Sequence, residues 1–209
     1  MRHVTIALTG ASGAIYGIRA LELLRGLGDV ETHVIVSPAG LRTAQMETGF
    51  SADDIRALAD HAHGHRDIGA SLASGSAESS GMLIAPCSVK TMSGIANCYD
   101  DNLITRAADV CLKERRRLVL LLRETPLHAG HIALMDQVTR SGAIVMPPVP
   151  AFYTQPRTID DLVTQTVGRA LDLLDFRLPQ VKRWRQESEA DAATASTTDA
   201  KWSNTRSAS

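Results

Sequence analysis

Hydroxyl, glycine and cationic residues recur just behind the apolar runs of this 209-residue sequence, and their grouping points to a phosphate-bearing, polyhydroxylated ligand. Thr9-Gly10-Ala11-Ser12-Gly13 follows a run at 4–8, Ser37-Pro38 follows 33–36, and Pro86-Cys87-Ser88-Val89-Lys90-Thr91 follows 82–85. Arg123-Glu124 ends a run at 118–122, and Pro147-Pro148 leads from 143–146 to Tyr153. Serine and threonine hydroxyls beside a glycine turn can donate several hydrogen bonds to a phosphate and a polyol chain without a metal. Lys90, flanked by Ser88 and Thr91, can neutralise the phosphate. Arg106, Lys113, Arg123 and Arg169 are candidates for a second anion pocket, and Glu124 for a proton-transfer group. Arg169 falls at the margin of the stripe Ile159, Leu162, Val163, Val167, Ala170 and Leu174, where a ligand contact and a surface salt bridge are both open.

The turn at 9–13 invites a dinucleotide reading, but its spacing argues against one. The dinucleotide fingerprint wants glycines at relative positions 1, 3 and 6 and an acidic residue at the end of the second strand. Here the glycines stand at 10, 13 and 17, and the second run ends in Ser37. Nor does any tyrosine precede a lysine by four residues: Tyr16, Tyr99 and Tyr153 are followed there by Ala20, Leu103 and Arg157. No metal is expected. The tract His61-Ala62-His63-Gly64-His65 lacks a local carboxylate or cysteine partner and reads as surface loop. His128 and His131, three apart, read as helix packing, and Cys87, with no histidine near it in sequence, reads as a buried thiol.

The elements that must position these residues follow from alternation. Five strand-like runs separated by helical patterns predict an α/β, doubly wound parallel sheet in three layers, with ligands at the carboxyl ends of the strands. Ser51 with Asp54 and Thr158 with Asp161 have capping-box spacing and mark two helix starts. A single domain over 1–185 is expected, followed by a disordered tail at 186–209 where Ala, Ser and Thr dominate. A formal net charge of −1 gives no global attraction to nucleic acid or anionic membrane. With three cysteines, no CxxC and no leader or spanning pattern, a cytoplasmic protein with reduced thiols is expected.

Taken together, Thr9-Gly10-Ala11-Ser12-Gly13-Ala14, Pro86-Cys87-Ser88 through Ser93-Gly94, Thr105-Arg106-Ala107-Ala108-Asp109-Val110 with Leu112-Lys113-Glu114-Arg115, Arg123-Glu124-Thr125-Pro126-Leu127, and Pro147-Pro148-Val149-Pro150-Ala151-Phe152-Tyr153 resemble the UbiX/Pad flavin prenyltransferases. The resemblance implies a Rossmann-like, flavodoxin-like homododecamer. It implies that reduced FMN and dimethylallyl phosphate are substrates, with prenylation at flavin N5, ring closure at C6 and release of phosphate without metal. The prenylated FMN is the cofactor of a UbiD-type decarboxylase. By resemblance, Gly10, Ala11, Ser12, Ser37, Ser88, Val89, Lys90, Thr91 and Arg123 fall on flavin-binding positions. Arg106, Lys113, Tyr153 and Arg169 fall on prenyl-phosphate positions. Ser12 and Glu124 match residues linked to phosphate departure and proton handling, and Glu47 matches one contributed across a subunit interface. A flavin carrier, or a flavin-binding subunit of an aromatic acid decarboxylase, would share the flavin-binding residues without needing the prenyl-phosphate set.

Overall fold

Val4, Ile6 and Leu8 alternate onto one face of the first apolar run while Ala7 takes the other, so this strand has to be covered on both sides. The computed structural model describes residues 1–183; the expected tail at 186–209 lies outside the described residues. The chain runs β1 (Arg2–Leu8), α1 (Ala14–Arg25), β2 (Val30–Val36), α2 (Pro38–Thr48), α3 (Ala52–Ala57), β3 (His61–His63), β4 (Gly81–Cys87), α4 (Val89–Ala96), α5 (Leu103–Lys113), β5 (Arg117–Leu122), α6 (Ala129–Arg140), β6 (Ile144–Val145) and α7 (Ile159–Asp172). All strands pair in parallel, in the order β3-β2-β1-β4-β5-β6. This is the three-layer Rossmann-like fold the alternation predicts. Without its three-residue edge strand the order reduces to that of a five-stranded flavodoxin-like sheet.

The edge strand corrects the sequence reading. The tract at 61–65 is not simply loop: His61, Ala62 and His63 pair in register with His33, Val34 and Ile35 of β2, adding a sixth strand to the expected five. Both expected capping boxes form, at Ser51/Asp54 before α3 and Thr158/Asp161 before α7.

Two cores separate the layers. Leu8, Leu83, Ala85 and Leu121 pack against Ile18 and Leu21 of α1 and Val163, Val167 and Leu171 of α7. On the opposite face, Met82, Ile84 and Leu120 meet Met92 and Ile95 of α4, Leu103 and Ala107 of α5, and Val138 of α6. At Gly17 a Cβ would stand 2.3 Å from the Ala85 carbonyl oxygen, so the displaced third glycine serves close packing of α1 on β4. From β1 the chain winds outward to β2 and β3, then crosses back to β4 on the other side of β1. That reversal opens a crevice beyond the carboxyl ends of β1 and β4.

Candidate active site

Thr9, directly after β1, stitches the reversal point together. It is almost fully buried; its hydroxyl donates to the Pro86 carbonyl at 2.7 Å and accepts from the Ser88 amide at 2.8 Å. The loops after β1 and β4 are thereby fixed to each other. Ser37 and Ser88 then start helices on either side. Ser37 Oγ accepts from Gly40 N at 2.9 Å and caps α2, while Ser88 Oγ accepts from Thr91 N at 3.3 Å and caps α4. The close approach of α2 depends on glycine: a Cβ at Gly40 would fall 2.5 Å from the Leu8 carbonyl oxygen, and one at Gly10 would fall 2.4 Å from Ala39 Cβ.

The resulting cleft has a volume of about 960 Å³ and is lined by Thr9, Gly10, Ser37, Ser88, Lys90 and Thr91, facing Arg42, His65, Arg66, Asn97, Tyr99 and Asn102. This is at the upper end of the range for small-molecule sites. The amino ends of α2 and α4 both open on it, so an anion meets a favourable helix dipole from either side. Lys90 reaches into solvent with its ammonium 3.9 Å from Asp101. His65 is half-buried in the wall; burial and then the charge of Lys90 push its imidazole below the usual histidine range. Its Nδ1 is buried with no hydrogen-bond partner among the described residues.

Beside the cleft, Ser12, Glu47 and Arg123 meet at the start of α1. Glu47 Oε2 accepts from Gly13 N at 2.8 Å and Ala14 N at 3.0 Å. Burial alone would raise the Glu47 carboxyl, but the Ser12 hydroxyl, these two amides and the Arg123 charge outweigh it and hold the carboxyl below its ordinary value. The α1 amino end is thus occupied by the protein's own carboxylate. Glu47, expected to act across a subunit interface, reaches the glycine turn of its own chain. Tyr16 sits in the same corner, its phenol raised by burial and partly offset by Arg123.

The remaining candidates do not gather on this cleft within one chain. Arg106 projects from α5 toward Asp109 (3.1 Å) and Asp100 (3.5 Å), and its Nε donates to the Ala73 carbonyl at 3.2 Å. Lys113, two turns further along α5, pairs with Glu114. Arg169 is exposed on α7 with the largely buried carboxylate of Asp172 at 3.8 Å, an ion pair of the kind that the periodicity left open. Tyr153 is exposed in a short 3-10 turn at Phe152–Thr154. Because α5 and α7 cover opposite faces of the sheet, the expected single anion pocket cannot form from these four residues of one chain. Glu124 is exposed, and its carboxylate accepts from Thr125 N at 2.9 Å. Cys87 is fully buried and its thiol is pushed up to about 12 by burial, so it is no nucleophile. His128, read with His131 as helix packing, does pack its ring 3.7 Å from that of His131, and it also caps α6 by accepting from Gly130 N.

The Flavoprotein family model matches residues 1–171. The flavin prenyltransferase UbiX of Salmonella typhimurium is 54% identical over 187 residues, covering 88% of this chain and 99% of the relative. The chain belongs to the UbiX family of flavin prenyltransferases. Among solved UbiX structures, AnUbiX (PadA1) in complex with FMN and dimethylallyl pyrophosphate superposes with a TM-score of 0.86 at 47% identity, covering 90% of this chain and 99% of that one. A dodecameric FMN-dependent UbiX-like decarboxylase from Escherichia coli O157:H7 gives 0.85 at 44% identity, with coverages of 88% and 99%. Three side chains that shape the cleft were not singled out as site residues by the sequence reading: Thr9, quoted only within its motif, His65, read as surface loop, and Asn102. Thr9 and Asn102 carried a local signal, one directly following a buried strand and the other capping α5, where it accepts from Ile104 N at 2.9 Å.

Proposed function

We propose that this chain transfers a dimethylallyl group from dimethylallyl phosphate to reduced FMN, and that the prenylated FMN serves a UbiD-type decarboxylase. The observation that carries this reading is the cleft at the β1/β4 reversal, glycine-floored, serine-capped and with an orphaned imidazole nitrogen, in a chain 47% identical over nearly its whole length to a protein that binds FMN and dimethylallyl pyrophosphate. Gly10, Ala11, Ser12, Ser37, Ser88, Val89, Lys90, Thr91 and Arg123 would hold the flavin, whose reduced N5 supplies the nucleophile. The cleft chemistry fits such a group: hydroxyls for a polyol chain and helix amino ends for a phosphate.

The transfer forms an N–C bond and breaks the allylic C–O bond, whose electron pair leaves with the phosphate. Arg106, Lys113, Arg169 and the Tyr153 phenol would neutralise the departing charge, which accelerates the step only if they are already in place when it develops. Ser12, oriented by Glu47, would assist phosphate departure, and Glu124 would take the proton released on ring closure. Since α5 and α7 are separated by the sheet, these groups would have to converge from neighbouring copies. A homododecamer, the assembly of the E. coli relative, supplies such neighbours. The proposal takes residues 1–185 as one flavoprotein domain working in the cytoplasm. No helix of the described residues is long and apolar enough to cross a membrane.

Purified protein incubated anaerobically with reduced FMN and either dimethylallyl phosphate or its diphosphate is expected to yield a flavin heavier by one five-carbon prenyl unit. The donor that reacts identifies the substrate. Unchanged flavin mass with both donors, under conditions where FMN binding is verified, would favour a carrier or decarboxylase subunit and overturn the proposal.

A further inference from the structure

Four of the seven histidines, His3, His33, His61 and His63, lie together on the β1–β2–β3 side of the sheet. Parallel register brings them there: His3 of β1 pairs with Glu31 of β2, and His33 of β2 pairs with His61 of β3. Strand alternation puts all four residues, and His63, on the same sheet face. Their nitrogens converge on one atom. Glu31 Oε1 has His61 Nε2 at 2.9 Å, His3 Nδ1 at 3.3 Å and His33 Nε2 at 3.7 Å. The His33 contact at 3.7 Å is too long for a hydrogen bond, so hydrogen bonding to Glu31 does not by itself account for three rings turned toward one oxygen. A cation among them does, because each neutral imidazole and the carboxylate then contribute a lone pair.

The spacing suits a small divalent ion. Ligands about 2.0–2.2 Å from a tetrahedral zinc stand roughly 3.3–3.6 Å from one another. His3, Glu31 and His33 offer ligand atoms all within 4.8 Å of each other, and the exposed His61 completes four with a rotation of its ring. His33 is also oriented from behind: its Nδ1 lies 2.9 Å from His63 Nε2, and with Nδ1 as the donor of that hydrogen bond Nε2 keeps its lone pair for a metal. Its side chain is only 12% exposed, so the site has a buried wall as well as ligands. Three imidazoles and a carboxylate favour zinc over magnesium or calcium, which take oxygen sets.

We propose that His3, Glu31, His33 and His61 bind a zinc ion that ties the short edge strand β3 to β2 and β1. The carboxylate that the histidine tract lacks locally in sequence is supplied by Glu31 of the neighbouring strand. The site is structural: its four ligands lie on β1, β2 and β3 and none lines the cleft, so flavin binding does not require it.

The test uses untagged, full-length protein freed of metal by chelation and titrated with cobalt(II), then with zinc as competitor. The expected result is one cobalt per chain with the strong visible bands of four-coordination, displaced by zinc, and a higher melting temperature with zinc than without. His33→Asn, Glu31→Gln and His61→Asn should each weaken binding at least about tenfold while FMN binding stays at the wild-type level. His131→Asn, in the other histidine pair, should leave cobalt binding unchanged. Cobalt binding that is absent, six-coordinate, or equal in Glu31→Gln and His61→Asn would overturn the site. FMN binding shows that each variant is folded; should His33→Asn lose it, the other two substitutions decide.

Discussion

Gly10→Ala tests whether the floor of the cleft depends on the contact between the β1 loop and α2. The added Cβ would stand 2.4 Å from Ala39 Cβ, against 3.4–4 Å for ordinary contact, so one backbone must retreat by about 1 Å. The clash is the whole effect, because Gly10 is not among the glycines with positive φ. Overpacking of this kind costs about 1–3 kcal/mol. At roughly 2–4 °C per kcal/mol for a chain of this size, the melting temperature should fall by about 2–12 °C. Weaker FMN binding should accompany it, since the displaced loop lines the cleft. The decisive control is the double variant with Ala39→Gly. Removing Ala39 Cβ leaves the nearest atoms at 3.5 Å, so the clash disappears, at a helix-propensity cost of up to about 1 kcal/mol. Thermal melts and flavin fluorescence on wild type, both single variants and the double variant form a complete cycle. If Gly10→Ala melts and binds FMN like wild type, or if Ala39→Gly restores neither property, the assigned contact is wrong.

The corner beside the cleft gives a pH prediction. Glu47 has a folded carboxyl value below the unfolded value of about 4.5, so its stabilising contribution is complete above that pH and is lost as pH falls through the folded value. The melting-temperature gap between wild type and Glu47→Gln should therefore be constant from neutrality down to about pH 5 and close in more acidic solution; a gap that widens there would contradict the contacts to Ser12, Gly13 and Ala14. Burial pushes the Cys87 and Cys111 thiols up to about 12 while Cys98 is exposed, so maleimide at neutral pH should label the native chain once and Cys98→Ser not at all. Labelling of Cys87 without denaturant would show the β4 end to be open. Arg169→Ala, which removes a long contact from an exposed side chain to Asp172 while Arg183 still holds that carboxylate at 2.6 Å, should leave folding and FMN binding near wild type while raising the KM for the prenyl donor; parallel loss of both would assign Arg169 to the fold.

What was legible in the sequence was local. Alternation at 4–8, capping spacing at 51–54 and 158–161, and the serines behind two apolar runs involve residues within a few positions of one another, and each reappears as a strand, a capped helix or a wall of the cleft. The failures share a different scale. Glu47 lies 34 residues beyond Gly13, and only the return path of α2 brings its carboxylate onto the α1 turn. The tract at 61–65 read as loop because its carboxylate sits on another strand, in a register that no local pattern encodes. The cations are the most instructive case. Helical periodicity places Arg169 at the edge of the α7 stripe, but it is silent on which sheet face α7 covers, and α5 with Arg106 and Lys113 covers the other. Resemblance assigns all of them to one phosphate, and the fold of one chain keeps them apart. If both hold, the phosphate pocket is a property of the assembly rather than the chain. A variant that remains folded and binds FMN but fails to assemble should then have lost prenyl transfer, even with every site residue intact.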